Sequence, residues 1–75
     1  MILRRKVFGE QHPNVARDYN NLGLAWDNKG EYDRAIEYYS QSLVILQKRL
    51  GDNHPNTKMV KKNLRNVRKQ QAANQ

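Results

Sequence analysis

An internal repeat with a fixed offset constrains this chain more than any other sequence feature. Residues 8–14, FGEQHPN, align with residues 50–56, LGDNHPN, at an offset of 42 positions. At the same offset, Asn21-Leu22 falls on Asn63-Leu64, so hydrophobic and turn positions both recur. A period of about 20 to 50 residues with helical patterning is typical of solenoids built from stacked helix pairs. The sequence therefore predicts one complete repeat flanked by parts of two others.

The spacing of apolar residues divides the complete repeat into two helices. Apolar residues recur at three- and four-residue steps, which predicts a helix A over residues 13–28 and a helix B over residues 31–50. The face of helix A expected to be buried carries Ala16, Tyr19, Leu22, Gly23 and Trp26. Pro13 suits the first turn of helix A, with His12 or a neighbour as its cap, and Gly51 suits the end of helix B. The repeat is thus predicted to be an antiparallel helix-turn-helix pair.

The segments on either side complete an all-α solenoid fragment that is predicted to form one unit over residues 1–75. Residues 1–8 are interpreted as the tail of a preceding B helix, and residues 55–72 as a third helix that is either a capping helix or the next A helix. The apolar stripe of this third helix consists of Val60, Leu64 and Val67. Lys61, Arg65 and Arg68 occupy the positions that Tyr19, Gly23 and Trp26 hold in the complete repeat. A polar-faced last helix is what a solenoid end needs for solubility, so we expect a C-terminal cap.

The complete repeat resembles a known family. Residues 19–43, YNNLGLAWDNKGEYDRAIEYYSQSL, carry a Leu-Gly pair, an aromatic residue one turn later, Gly-x-Tyr, and a small residue before the last leucine. This pattern closely resembles the tetratricopeptide repeat, with Ser42 in place of the usual alanine. The long period and the Leu-Gly-x-x-His-Pro linker are similar to the repeats of kinesin light chains. The resemblance covers nearly the whole chain.

The resemblance implies that the chain binds a protein or peptide, held as an extended segment in a groove lined by A helices. Asparagine side chains can satisfy the N–H and C=O groups of such a segment, while Arg17 and Lys62 would select carboxylates. The residues expected to bind the peptide are Arg17, Asn20, Asn21, Leu24, Lys62, Asn63 and Asn66. Asn20 and Asn21 also admit a purely structural role as hydrogen-bonding groups between neighbouring helices.

Charge is unevenly distributed along the chain, which carries a net charge of +7. No acidic residue follows Asn53. The basic residues of this segment are Lys58, Lys61, Lys62, Arg65, Arg68 and Lys69. An electropositive end favours acidic partners, and binding of nucleic acid through this basic helix is an alternative. An ordinary solvated helix face would explain the same charges.

Self-association is a further alternative. With no preceding A helix to cover the apolar residues among positions 1–8, the fragment could form a homo-oligomer, because solenoids usually need about three repeats for stability. Straightening of the turn at residues 28–30 would let helices A and B exchange partners between chains. The sequence thus leaves open peptide binding, nucleic-acid binding and assembly.

Catalysis, metal binding and a cofactor are not expected. There is no cysteine, and His12 and His54 lie in equivalent linkers without the clustered partners that a metal needs. Ser40 and Ser42 have no histidine or acid arranged as a base. The longest apolar run, residues 43–46, is far too short to cross a membrane. We therefore expect a soluble, cytoplasmic protein without a signal peptide that is not an enzyme.

Overall fold

A computed structural model describes residues 12–74 and shows three α-helices: α1 (Pro13–Asn28), α2 (Tyr32–Arg49) and α3 (Pro55–Asn74). The all-α class is confirmed, since the described part of the chain contains no strand. Helix α2 is one residue shorter at each end than the spacing predicts, and α3 runs two residues further. The predicted helix tail at residues 1–8 lies outside the described residues.

The ends of α1 are set by local signals. The Nδ1 atom of His12 accepts a hydrogen bond of 3.1 Å from the backbone N–H of Asn14, so His12 is the N-cap. At the other end Gly30 adopts a φ of 85°, and the backbone N–H of Glu31 donates to the carbonyl of Trp26 over 2.9 Å. This left-handed residue satisfies the last carbonyls and turns the chain back toward α2.

The linker between α2 and α3 repeats the same chemistry. His54 Nδ1 accepts from the backbone N–H of Asn56 at 3.1 Å, as His12 does one repeat earlier. Gly51, with a φ of 90°, ends α2 in the same left-handed conformation as Gly30. The recurring His-Pro-Asn sequence is therefore a recurring helix start.

Helix α2 packs between α1 and α3. The buried hydrophobic residues are Ala16, Ala35, Tyr39, Ile45, Leu46, Val60 and Val67. Gly23 lets α1 approach α2 closely, because a Cβ atom at this position would lie 2.7 Å from the Tyr39 ring. One small residue on α1 thus makes room for the largest fully buried side chain of α2.

Ser42 has a structural role where the repeat pattern usually has alanine. Its side chain is fully buried, and its hydroxyl donates a hydrogen bond of 2.7 Å to the backbone carbonyl of Ala16. A buried hydroxyl is costly only when it has no partner. The serine therefore joins α2 to the first turn of α1 without leaving its hydroxyl unsatisfied.

The expected burial of Leu22 is wrong. This side chain is 43% exposed, whereas Leu64, its counterpart one repeat later, is partly buried against the core. Leu64 lies on the side of α3 that meets the preceding helix, α2. The equivalent side of α1 faces away from α2, so the helix that packs on Leu22 in a longer array would belong to the preceding repeat.

Candidate peptide-binding groove

A groove of about 180 Å³ runs between the N-terminal halves of α1 and α3. Ser42 and Leu46 of α2 lie at its base, next to Val60 of α3. Its sides combine apolar, carboxamide and cationic groups: Pro13, Asn14, Arg17 and Asn20 from α1, and Asn56 and Met59 from α3. Helices α1 and α3 are equivalent A-type helices one repeat apart, and α2 is the B-type helix between them. The two A-type helices therefore line one concave surface with α2 behind it.

The two sides of this groove are related by the repeat. Asn14 and Asn56 are equivalent positions, and so are Arg17 and Met59. The sequence prediction omitted Asn14, Asn56 and Met59 from the site. The offset of 42 residues is the signal that could have found Met59, because it places Met59 at the position of Arg17.

A hydrogen bond between the side chains of Asn20 and Asn63 links the two A-type helices. The side-chain amide Nδ2 of Asn63 donates to Oδ1 of Asn20 over 3.1 Å, and Asn20 is only 5% exposed. Asn20 therefore does not lie on an open face of α1, because it is nearly buried and is hydrogen-bonded to Asn63 of α3. Asn20 thus has the structural role that the sequence analysis gave as an alternative, namely a hydrogen bond between neighbouring helices. It still lines the groove.

The remaining predicted residues do not line the groove. Asn21, Leu24, Lys62 and Asn66 are exposed, and none of them contributes to its walls. Asn21 is the repeat counterpart of Asn63, so it lies on the side of α1 that faces away from α3. Of the seven predicted residues, the structure brings Arg17 and Asn20 into the groove and binds Asn63 to Asn20.

Arg17 sets the electrostatics of the groove. Among the residues that the structure describes, it is the one charged side chain in the lining, and none of them contributes a carboxylate. Its guanidinium can form two parallel hydrogen bonds to a carboxylate, and the neighbouring carboxamides can both donate and accept. This set of groups suits a peptide backbone and an acidic side chain.

Tyr39, by contrast, belongs to the core rather than to the site. Burial, and then the neighbouring Asp27 carboxylate, raises the pKa of Tyr39 from 10.0 to about 12. No hydrogen bond of ordinary geometry joins its hydroxyl to any described residue. The phenol therefore stays protonated at neutral pH and acts through packing.

Two other kinds of site are not found in the part of the chain that the structure describes. Residues 12–74 contain no group of three metal-ligating side chains that could hold an ion. Within the same range, no helix is both long enough and apolar enough to cross a membrane.

Alternating A-type and B-type helices with a concave groove between successive A helices define an α-solenoid scaffold. The sequence profile of the tetratricopeptide repeat matches residues 15–56, which is more than half of the chain. The chain therefore belongs to the tetratricopeptide repeat family, a family of non-enzymatic scaffolds whose repeats generally mediate protein–protein interactions. The finer likeness to kinesin light chains stays a prediction.

A curated relative extends the comparison. The chain is 32% identical over 50 residues to Protein HGV2 of Halocynthia roretzi. The match covers 67% of this chain but 10% of that protein. The chain thus spans about a tenth of the length of the curated relative that it matches.

Proposed function

We propose that this chain binds short, extended, acidic peptide segments in the groove between α1 and α3. The observation that carries the proposal is the position of Arg17, which is the single cation among the described lining residues; the others are carboxamide and apolar groups and the Ser42 hydroxyl. A carboxylate entering this groove would meet a cation and, in the part of the lining that the structure describes, no competing acid. Charge-assisted hydrogen bonds of this kind are about twice as strong as neutral ones.

The remaining groove residues are suited to different parts of the peptide. Asn14 and Asn56, one repeat apart, are suited to the backbone N–H and C=O groups of the segment. Met59, which is exposed above the nearly buried Leu46 and Val60, offers an apolar surface to one side chain, and its flexibility lets it adapt to the shape of that side chain. The groove is smaller than most ligand pockets, which are about 300 Å³ or more, so it holds only part of a peptide. We therefore expect modest affinity from this unit.

Titration of an array of short fluorescent peptides tests the proposal. The peptides carry Asp or Glu at successive positions, and matched peptides carry Asn or Gln instead. Acidic peptides should bind the native chain. The substitution Arg17→Glu should lower their affinity about tenfold or more, because a charge-assisted hydrogen bond contributes roughly 1.5–3 kcal/mol. Lys48→Glu is the matched control, because Lys48 is exposed on α2 and lies outside the groove.

Two outcomes would count against the groove. Equal weakening by Arg17→Glu and Lys48→Glu would show that the peptides respond only to net charge. Loss of binding on Asn21→Ala or Lys62→Glu, with no effect of Arg17→Glu, would place the peptide on the exposed faces outside the groove. In either case the proposed site would be wrong, even though the family's general role would stand.

Self-association is the second candidate function, and the exposure of Leu22 favours it. Leu22 occupies the position at which Leu64 packs against a B-type helix, so a helix from another copy could cover it. Light scattering over a wide concentration range should then show oligomers that Leu22→Asn dissociates. A strict monomer at high concentration would remove this candidate. Exchange of helices about the turn at residues 28–30 stays a prediction.

A further inference from the structure

A second and larger groove, of about 490 Å³, lies between α2 and α3. Leu43 of α2 and Leu64 and Ala72 of α3 give it an apolar base. Its cations, all from α3, are Lys61, Arg65, Arg68 and Lys69. It shares no lining residue with the peptide groove, so the two surfaces can be tested separately. We name this second surface the cationic groove.

The repeat register shows which element would normally fill the cationic groove. Its residues Lys61, Arg65 and Arg68 are the counterparts of Tyr19, Gly23 and Trp26. Tyr19 and Trp26 pack against the core of the α1–α2 pair, and Gly23 contacts the Tyr39 ring of the B helix. The cationic groove is therefore the place where a following B helix would pack on α3.

A B helix like α2 does not fit at this place. At Gly23 even a single Cβ atom would come within 2.7 Å of the Tyr39 ring, and α3 has Arg65 at the equivalent position. An aromatic residue on the incoming helix would meet a long, charged side chain instead of open space. The occupant must therefore lie further from α3 and must compensate its positive charge.

The charge of the cationic groove is largely uncompensated. Lys61 pairs with Asp52, with Nζ and Oδ1 3.4 Å apart. Among the described residues, Arg65, Arg68 and Lys69 form no ion pair, and no carboxylate lines the groove. The four cations follow one another at helical spacing beside the apolar base. Charge and shape together call for a ligand that is acidic on its flanks and apolar on the side facing the groove.

We propose that the cationic groove docks an acidic amphipathic helix of a partner protein, along the face of α3 on which a following B helix would pack but further from α3. Carboxylates at i, i+4 and i+7 of that helix would face Lys61, Arg65 and Arg68, while its apolar side chains cover Leu43 and Leu64. Nucleic acid fits these observations less well. None of the described lining residues has an aromatic ring on which a base could stack, and a phosphate backbone would make no favourable contact with the apolar base of the groove.

Fluorescence anisotropy with a designed probe tests the proposal. The probe is a labelled helical peptide of about 18 residues, long enough to be partly helical, with leucine on one face and glutamate on both flanks. It should bind the native chain, and replacing its glutamates by glutamine or its leucines by serine should each weaken binding about tenfold. Single-stranded oligothymidylate is titrated in parallel as the nucleic-acid probe.

Charge-reversal variants identify the surface. The Arg65→Glu/Arg68→Glu double variant should weaken the helical probe about a hundredfold, whereas Lys58→Glu/Lys62→Glu should have a much smaller effect. The control pair lies on the same helix, is exposed, and lines neither groove. Circular dichroism establishes that both variants fold.

Three results would overturn the proposal. Equal losses in the two double variants would mean attraction by net charge alone. Tighter binding of oligothymidylate than of the helical probe, with a steep salt dependence, would favour nucleic acid. If Arg17→Glu abolished binding of the helical probe and Arg65→Glu/Arg68→Glu did not, the probe would bind in the peptide groove. Because Arg17→Glu leaves the cationic groove intact, failure of one proposed surface is distinguishable from failure of the other.

Discussion

The side-chain amide of Asn63 donates a hydrogen bond to Oδ1 of Asn20 over 3.1 Å, which joins the first and third helices beside the peptide groove. Asn20 is nearly fully buried, so its carboxamide depends on this partner. We expect Asn20→Ala and Asn63→Ala each to lower the free energy of unfolding by about 1–2 kcal/mol. Urea denaturation of both single variants and the double variant measures their coupling. If the two losses add within about 0.5 kcal/mol, the bond contributes nothing specific.

Replacing Gly23 by alanine should destabilise the fold, although alanine is the better helix former by about 1 kcal/mol. The added Cβ atom would lie 2.7 Å from Cδ1 and Cε1 of Tyr39. We expect a net loss of about 1–3 kcal/mol, because the surrounding core has little room to adjust. Thermal unfolding followed by circular dichroism measures it.

Gly30→Ala is the matched control for this clash. A Cβ atom at Gly30 has no neighbour within 4 Å, but the φ of 85° disfavours any other residue. Both Gly→Ala variants should therefore be less stable than the native chain. When Tyr39 is replaced by leucine, the destabilisation caused by Gly23→Ala should become smaller, whereas that caused by Gly30→Ala should not change. An equal loss at Gly23 with and without the Tyr39 ring would contradict the steric explanation.

Thr57→Val should stabilise the protein. Thr57 is fully buried, and its Oγ1 atom has no hydrogen-bond partner among the described residues. The equivalent position one repeat earlier is Val15, so the fold accepts valine in this register. Removing the unsatisfied hydroxyl at nearly constant volume should raise the free energy of unfolding by about 1 kcal/mol, or the melting temperature by about 4–8 °C. Thr57→Ala, which also removes a methyl group, should be destabilising.

His54→Ala should lower the free energy of unfolding by about 1 kcal/mol. The substitution removes the Nδ1 acceptor for the backbone N–H of Asn56 and so leaves the start of α3 without its cap. His54→Asn should retain most of the stability, because asparagine is a good N-cap residue. Chemical denaturation distinguishes the two variants. Equal stability of His54→Ala and the native chain would show that this hydrogen bond contributes nothing.

Alkaline pH should weaken the fold through Tyr39. Because burial and Asp27 raise the pKa of Tyr39 from 10.0 to about 12, the folded state holds this proton more tightly than the unfolded state. The resulting stabilisation is complete below pH 10 and is lost as the pH rises toward about 12. The loss is on the order of 2 kcal/mol.

Denaturation curves of the native protein and of Tyr39→Phe, recorded between pH 9 and about 12, measure this loss of stability at alkaline pH. The phenylalanine variant has no proton to lose at this position, so its stability should fall less than that of the native protein over the same interval. Tyr38→Phe keeps Tyr39 and serves as the control. Parallel curves for the native protein and Tyr39→Phe would contradict the role of Tyr39.

Short-range signals in the sequence were enough to predict the helical repeat. Apolar spacing marks the helices, and His12, Pro13 and Gly30 mark the ends of α1, because these are short-range effects written within a few residues. The family likewise followed from residues close together in the chain. The presence of Arg17 on the groove side of an A helix was also predictable in this way.

The faces on which these helices meet became known from the packed fold and not from the sequence. Helical periodicity places Asn20 and Leu22 on faces of α1, but it does not say where α3 packs. In the structure α3 covers Asn20, while Leu22 remains exposed on the side where a preceding repeat would lie. These outcomes depend on contacts between residues some forty positions apart, whose energies arise only once the helices are packed together.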